Sequence, residues 1–255
     1  ILESLPVELL YEVQLHALSV ALPITSRRLH DIFSAAPPSY CAEYLLGHID
    51  GPKRLDDAVS RILRFPLCSP PVLDVVLHPP KPETEPEPPP PRRGPELPKH
   101  IFRVLGPRKE GEADYSTEDA PMPLLRCLYG AAPRLMQPDA NSHNGYALTR
   151  AVHAGFVPLV RLLLEQGASP ARKGGLAVLV AIRQKNLGLV RLLIERSDGA
   201  QSRGKNKRRK LEDRMEVTPD LLKAAVKAKA RDIVDYFTQE KGCVPDMQTL
   251  QMLMR

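Results

Sequence analysis

Tryptophan is absent from this 255-residue chain, and the aromatic residues together make up only 5% of it. Hydrophobic residues still reach 43%, so a core can be built, but it must rely on Leu, Val and Ala. Helical repeat folds tolerate that profile well. Cysteine is scarce and scattered: Cys41, Cys68, Cys127 and Cys243 contain no Cys-x-x-Cys spacing. They read as reduced thiols of a cytosolic or nuclear protein. No apolar run is long enough to span a bilayer, the longest being LAVLVAI at 176–182. No secretory signal is visible, and the missing initial Met suggests a trimmed fragment.

Catalytic signatures are missing as well. There is no phosphate-binding glycine loop, no H-E-x-x-H and no G-x-S-x-G. The seven histidines are dispersed, and carboxylates pair closely only in linkers or at exposed helix edges, as with Glu83, Glu85 and Glu87, where nothing would tune them for acid–base work. These absences predict a protein that is not an enzyme and carries no cofactor or metal.

What the chain does contain is periodicity. Residues 1–50 are apolar and helical in pattern, and 51–78 form a short helical unit. Residues 79–98, PPKPETEPEPPPPRRGPELP, are too rich in proline for a helix or a central strand and read as a disordered insertion. Helical pattern returns from 99 to 255, broken by the basic insertion SDGAQSRGKNKRRKLEDR at 197–214. AVHAGFVPLVRLLLE at 151–165 is echoed thirty positions later by AIRQKNLGLVRLLIE. Ala225-Val226, Ile233-Val234 and Phe237 repeat the same places beyond the insertion. PLLRCLYGA at 123–131, LDDAV at 55–59 and VLDVVL at 72–77 are fainter copies. Each unit is a helix with a small residue, a bend, and a second helix apolar on one face. Such a pair buries its apolar stripe only against its neighbours.

DANSHNGYALTRAVHAGFVPLVRLLLEQGASP at 139–170 resembles an ankyrin repeat, with Tyr146-Ala147-Leu148-Thr149 standing where that family has T-P-L-H. The resemblance implies an all-α ankyrin-repeat solenoid of about five helix-pair units, and a monomer. The first fifty residues do not continue the repeat. Their first helix carries an apolar edge of Leu9 and Val13, with Leu10 beside it. Leu5-Pro6 before Glu8-Leu9-Leu10, then PITSRRLHDIF, then a helix carrying Cys41, Tyr44 and Leu45, is similar to an F-box. That resemblance implies that Leu5, Pro6, Leu9 and Leu10 insert into a Skp-type adaptor of a cullin–RING ubiquitin ligase. The alternative is a helical cap on the repeats of a plain ankyrin scaffold or dedicated chaperone.

The net charge of +6 favours an acidic partner. By the ankyrin resemblance the concave face would carry His143, His153, Arg172, Lys173, Arg183, Lys185, Lys227 and Lys229, a basic strip suited to an acidic protein or peptide substrate. Lys205, Lys207, Arg208, Arg209 and Lys210 in the insertion are a candidate nuclear-localisation signal, in keeping with a nuclear or cytoplasmic location. No aromatic is interleaved with these charges, so nucleic acid ranks last among the partner classes, and no membrane is expected.

Overall fold

Helix starts fall where the sequence supplies a cap or a proline. The Ser26 hydroxyl accepts the Leu29 N–H at 3.3 Å, and Asn186 Oδ1 accepts the Leu189 N–H at 3.0 Å. Each such cap stabilises its helix by about 1 kcal/mol. Pro38, Pro70, Pro158 and Pro219 occupy first-turn positions, where a missing N–H costs nothing. The computed structural model describes residues 2–49, 55–78, 94–109, 111–131, 135–196 and 213–253. Among these the chain is all-α, with fourteen α-helices, no strand, and one isolated bridge between Glu96 and Asp139. None of the helices is long and apolar enough to cross a membrane. Lys205, Lys207, Arg208, Arg209, Lys210 and most of the proline-rich stretch lie outside the described residues.

The chain divides into two units, residues 1–98 with 120–139, and residues 99–119 with 140–255. In the first unit, α1 (Val7–Ala17), α2 (Arg27–Ser34) and α3 (Pro38–Gly47) surround Leu10, Leu29 and Phe33. Leu5, Tyr11, Leu22, Ile32 and Tyr40 pack against that cluster. The helices α4 (Leu55–Ile62) and α5 (Pro70–Leu77) match the two short copies read at 55–59 and 72–77. They bury Val59, Ile62, Leu73 and Leu77. The chain contributes α6 (Lys99–Arg103) to the other unit and returns for α7 (Met122–Gly130), which packs on α5 and buries Leu125 and Leu128. Residues 94–98, the end of the proline-rich stretch, are packed in this unit. Leu97 is buried, and the Pro95 carbonyl accepts the Asp139 N–H at 3.2 Å.

The second unit is built from helix pairs: α8 (Ser142–Ala154) with α9 (Val157–Glu165), α10 (Arg172–Arg183) with α11 (Leu187–Ile194), and α12 (Pro219–Lys227) with α13 (Arg231–Asp235). The first members pack side by side, as do the second members, giving two layers. At one end α6 lies on α8, and the Arg150 guanidinium donates to the carbonyls of Phe102, Arg103 and Leu105. At the other, α14 (Met247–Leu253) lies on α12.

The repeat read from the letters is also a repeat of backbone geometry. Ala151, Ala181 and Ala225 are each completely buried, and their carbonyls close the first helix of each pair. They accept the N–H of Phe156, Asn186 and Ala230 at 3.0, 3.2 and 3.1 Å. The residue before each of those donors, Gly155, Lys185 or Lys229, is left-handed and donates to Val152, Ile182 or Val226. Such a paired closure uses carbonyls that a helix end otherwise leaves without partners. The first turns of α8 and α10 break from helical geometry alike, with His143, Asn144 and Gly145 left-handed in one and Lys173, Gly174 and Gly175 in the other. Gly145 sits against the Arg172 side chain, and Gly175 against Met215 and Leu221. A Cβ there would be strained by its φ and within 3.2–3.3 Å of a neighbour. The same contacts orient the layer: the N-terminal turn of α8 meets that of α10, and α10 meets α12 in the same sense.

Candidate functional site

The α1 surface separates the four residues read as adaptor-binding into two pairs. Leu10 is 0% exposed in the three-helix core, and Leu5 packs against that core. Pro6 and Leu9 face outward, and Val13 joins them at the i, i+3, i+7 spacing of one helix face. Leu9 is 44% and Val13 38% exposed. The apolar edge expected from the sequence therefore keeps Leu9 and Val13 and gains Pro6, while Leu10 leaves it for the core. Elsewhere in the unit, a cavity of about 430 Å³ is lined by Val20, Pro23, Ile24, Phe33, Tyr40 and Leu67 among others. Val20 and Ile24 stand exposed at it.

The eight residues expected to form a basic strip fall at opposite ends of α8, α10 and α12, the first helices of the three pairs. His143, Arg172 and Lys173 lie at the N-terminal turns, with His143 and Lys173 left-handed. His153, Arg183 and Lys227 occupy the last turns of α8, α10 and α12 in matching register. Lys185 and Lys229 come next in the closing turns, at the place filled by Gly155 in the first pair. The Gln184 side-chain amide donates to the His153 carbonyl at 2.8 Å, tying the first two of these ends together. Arg183, Lys185, Lys227 and Lys229 are exposed and His153 is half-buried. None of the five is ion-paired to a described carboxylate. The result is a row of basic side chains, one rung per helix pair. Cations in a last turn also complement the negative end of the helix dipole, by about 0.3–1 kcal/mol each.

A second charged cluster, which the sequence did not reveal, closes the foot of the basic insertion. Lys241 Nζ lies 2.9 Å from Asp213 and 3.4 Å from Glu195, one carboxylate at each end of the insertion. Arg214 donates through its backbone to the Ile194 carbonyl at 2.7 Å and through its side chain to the Glu195 carbonyl at 3.1 Å. The buried Tyr236 hydroxyl donates to Glu195 Oε1 at 2.9 Å. Burial first, then that bond and the nearby carboxylates, holds the phenol well above its ordinary range.

The thiols are arranged for packing. Burial pushes Cys68 up to about 11, with Cys127 adding to the shift, and burial raises Cys41, Cys127 and Cys243 too. A thiol held protonated in this way is a poor nucleophile at neutral pH. Among the described residues no three His, Cys, Asp or Glu side chains converge as metal ligands would. No family model matches the chain, and neither does any curated protein or solved structure compared with it.

Proposed function

We propose that the protein is a substrate receptor of a cullin–RING ubiquitin ligase. In this reading an F-box-like segment, α1–α3, engages a Skp-type adaptor, and an ankyrin-type stack, α8–α13, holds an acidic protein. The chemistry then belongs to the partner ligase, and the chain contributes binding surfaces alone. One observation carries the reading. A helix whose inner face is already filled by Leu10 and Gln14 still offers Pro6, Leu9 and Val13 to solvent in one line. An apolar edge left facing solvent once the core is filled is a surface that a partner can cover.

The test is capture of the chain by purified Skp-type adaptor, beside a Leu9→Asp/Val13→Asp variant. These two positions leave the core untouched, whereas a charge at Leu10 would enter the Leu29–Phe33 cluster and unfold the segment. Capture of the parent, lost in the variant with unchanged circular dichroism, is the expected result. A folded parent that is not captured would rule out the ligase link and leave a scaffold whose first helices act as a cap.

A further inference from the structure

The row of basic side chains at the C-terminal ends of α8, α10 and α12 has a spacing, and spacing selects a partner. Packed helices lie about 8–10 Å apart. The rungs His153, Arg183 with Lys185, and Lys227 with Lys229 therefore recur at about that interval. An extended acidic chain in polyproline-II geometry advances about 3.1 Å per residue with three residues per turn, so every third side chain falls on one face about 9 Å from the last. A β-strand alternates faces every second residue and would turn its third side chain away from the row.

The backbone adds an independent observation. Lys185 and Lys229 adopt φ of 54° and 53°, where the first pair has Gly155 at 72°. Glycine serves that turn without strain, and the turn closes with the same hydrogen bonds whichever residue occupies it. The hydrogen bonding of the turn therefore does not require lysine there. Both lysines hold a conformation unfavourable to a side chain while standing exposed beside a last-turn basic residue, with no described carboxylate paired to either. Side chains held in sparsely populated backbone regions cluster at ligand-binding surfaces.

We infer that this row binds an acidic peptide segment in polyproline-II conformation, with a carboxylate at every third residue. The inference rests on the reading of α8–α13 as a partner-holding stack and names the substrate class for it. Two fluorescein-labelled nonapeptides of identical composition test it by anisotropy. One is three repeats of Glu-Pro-Pro; the other places its three glutamates in a central block between two runs of three prolines. The repeating peptide is expected to bind at least about fivefold more tightly than the block peptide. A Lys185→Gly/Lys229→Gly variant is expected to lose about tenfold in affinity for it. The same variant should melt no lower than the parent, because glycine relieves the left-handed turns. A purely structural role for the lysines predicts a lower melting temperature and unchanged binding, and would overturn the inference. Equal binding of the two peptides would overturn it as well, since charge without register would then suffice. So would preferential binding of a thymidine oligonucleotide, which would assign the row to nucleic acid. Adaptor capture reads the ligase link separately, so capture without register-selective binding sinks this inference alone, and register-selective binding without capture sinks only the ligase link.

Discussion

Tyr236 shows how one buried polar group couples this fold to pH. Its ring lies 4.8 Å from the Arg191 guanidinium and its hydroxyl is held by Glu195. The folded protein retains the phenolic proton more firmly than the unfolded chain, whose tyrosine titrates near 10.0. The contribution of this group is therefore complete below that value and is lost as the pH rises through the higher folded one. Thermal melts of the parent should hold steady to about pH 10 and then fall. Tyr236→Phe keeps the ring but removes the proton, so it should cost about 1 kcal/mol at neutral pH. Its alkaline decline should be shallower than that of the parent, and an equally steep decline would assign the alkaline instability to another group. On the acid side, Asp119 is held below its usual range by the Ser116 backbone N–H and then by Arg108. That contact is present above the ordinary carboxylate range and lost as the pH falls through the lowered value.

At the level of elements, α13 differs from its counterparts by one residue. Its helix runs into a π-turn over Tyr236–Glu240 before Gly242 turns left-handed. In the first pair the Leu163 carbonyl accepts the Ala168 N–H five residues on. In the third the Phe237 carbonyl accepts from Cys243, six residues on. The extra residue is absorbed as a wide turn, so Tyr236 and Phe237 stay buried and the pair keeps its register. Deleting Gln239 should convert the π-turn to α and leave the melting temperature and helicity nearly unchanged. Deleting Leu192 from α11, which has no residue to spare, rotates the rest of that helix by about 100° and should cost several kcal/mol. Equal losses from the two deletions would show that the π-turn is needed for something other than length.

At the scale of the whole molecule, the second unit is a series in which each pair leans on the next. Leu193 is completely buried in the central pair, between the helices flanking it. Leu193→Ala should cost about 2–5 kcal/mol. Because neighbours share the loss in a stack of this kind, amide exchange should accelerate in α9 and α13 as well as in α11. Acceleration confined to α11 would mean that the pairs are stable individually.

The letters alone determined the all-α class, the helix positions, and the register linking Ala151, Ala181 and Ala225. Those features arise from local spacing, from caps and prolines, and from small residues recurring where two helices must approach. Helices read at 55–59, 72–77 and 123–131 appear as α4, α5 and α7 for the same reason. What depended on tertiary structure was which side of a helix faced solvent, and at which end of a helix a charge stood. Leu9 and Leu10 are adjacent and chemically identical, yet one is exposed and the other seals a core, because only the packing of α2 and α3 against α1 distinguishes the two faces. The basic residues read as one strip fall at two ends of α8, α10 and α12, because a charge pattern fixes no position along a helix axis until its turns are known. The cluster of Lys241 with Glu195 and Asp213 joins groups far apart in sequence, and long-range pairing of that kind leaves no local signal to read.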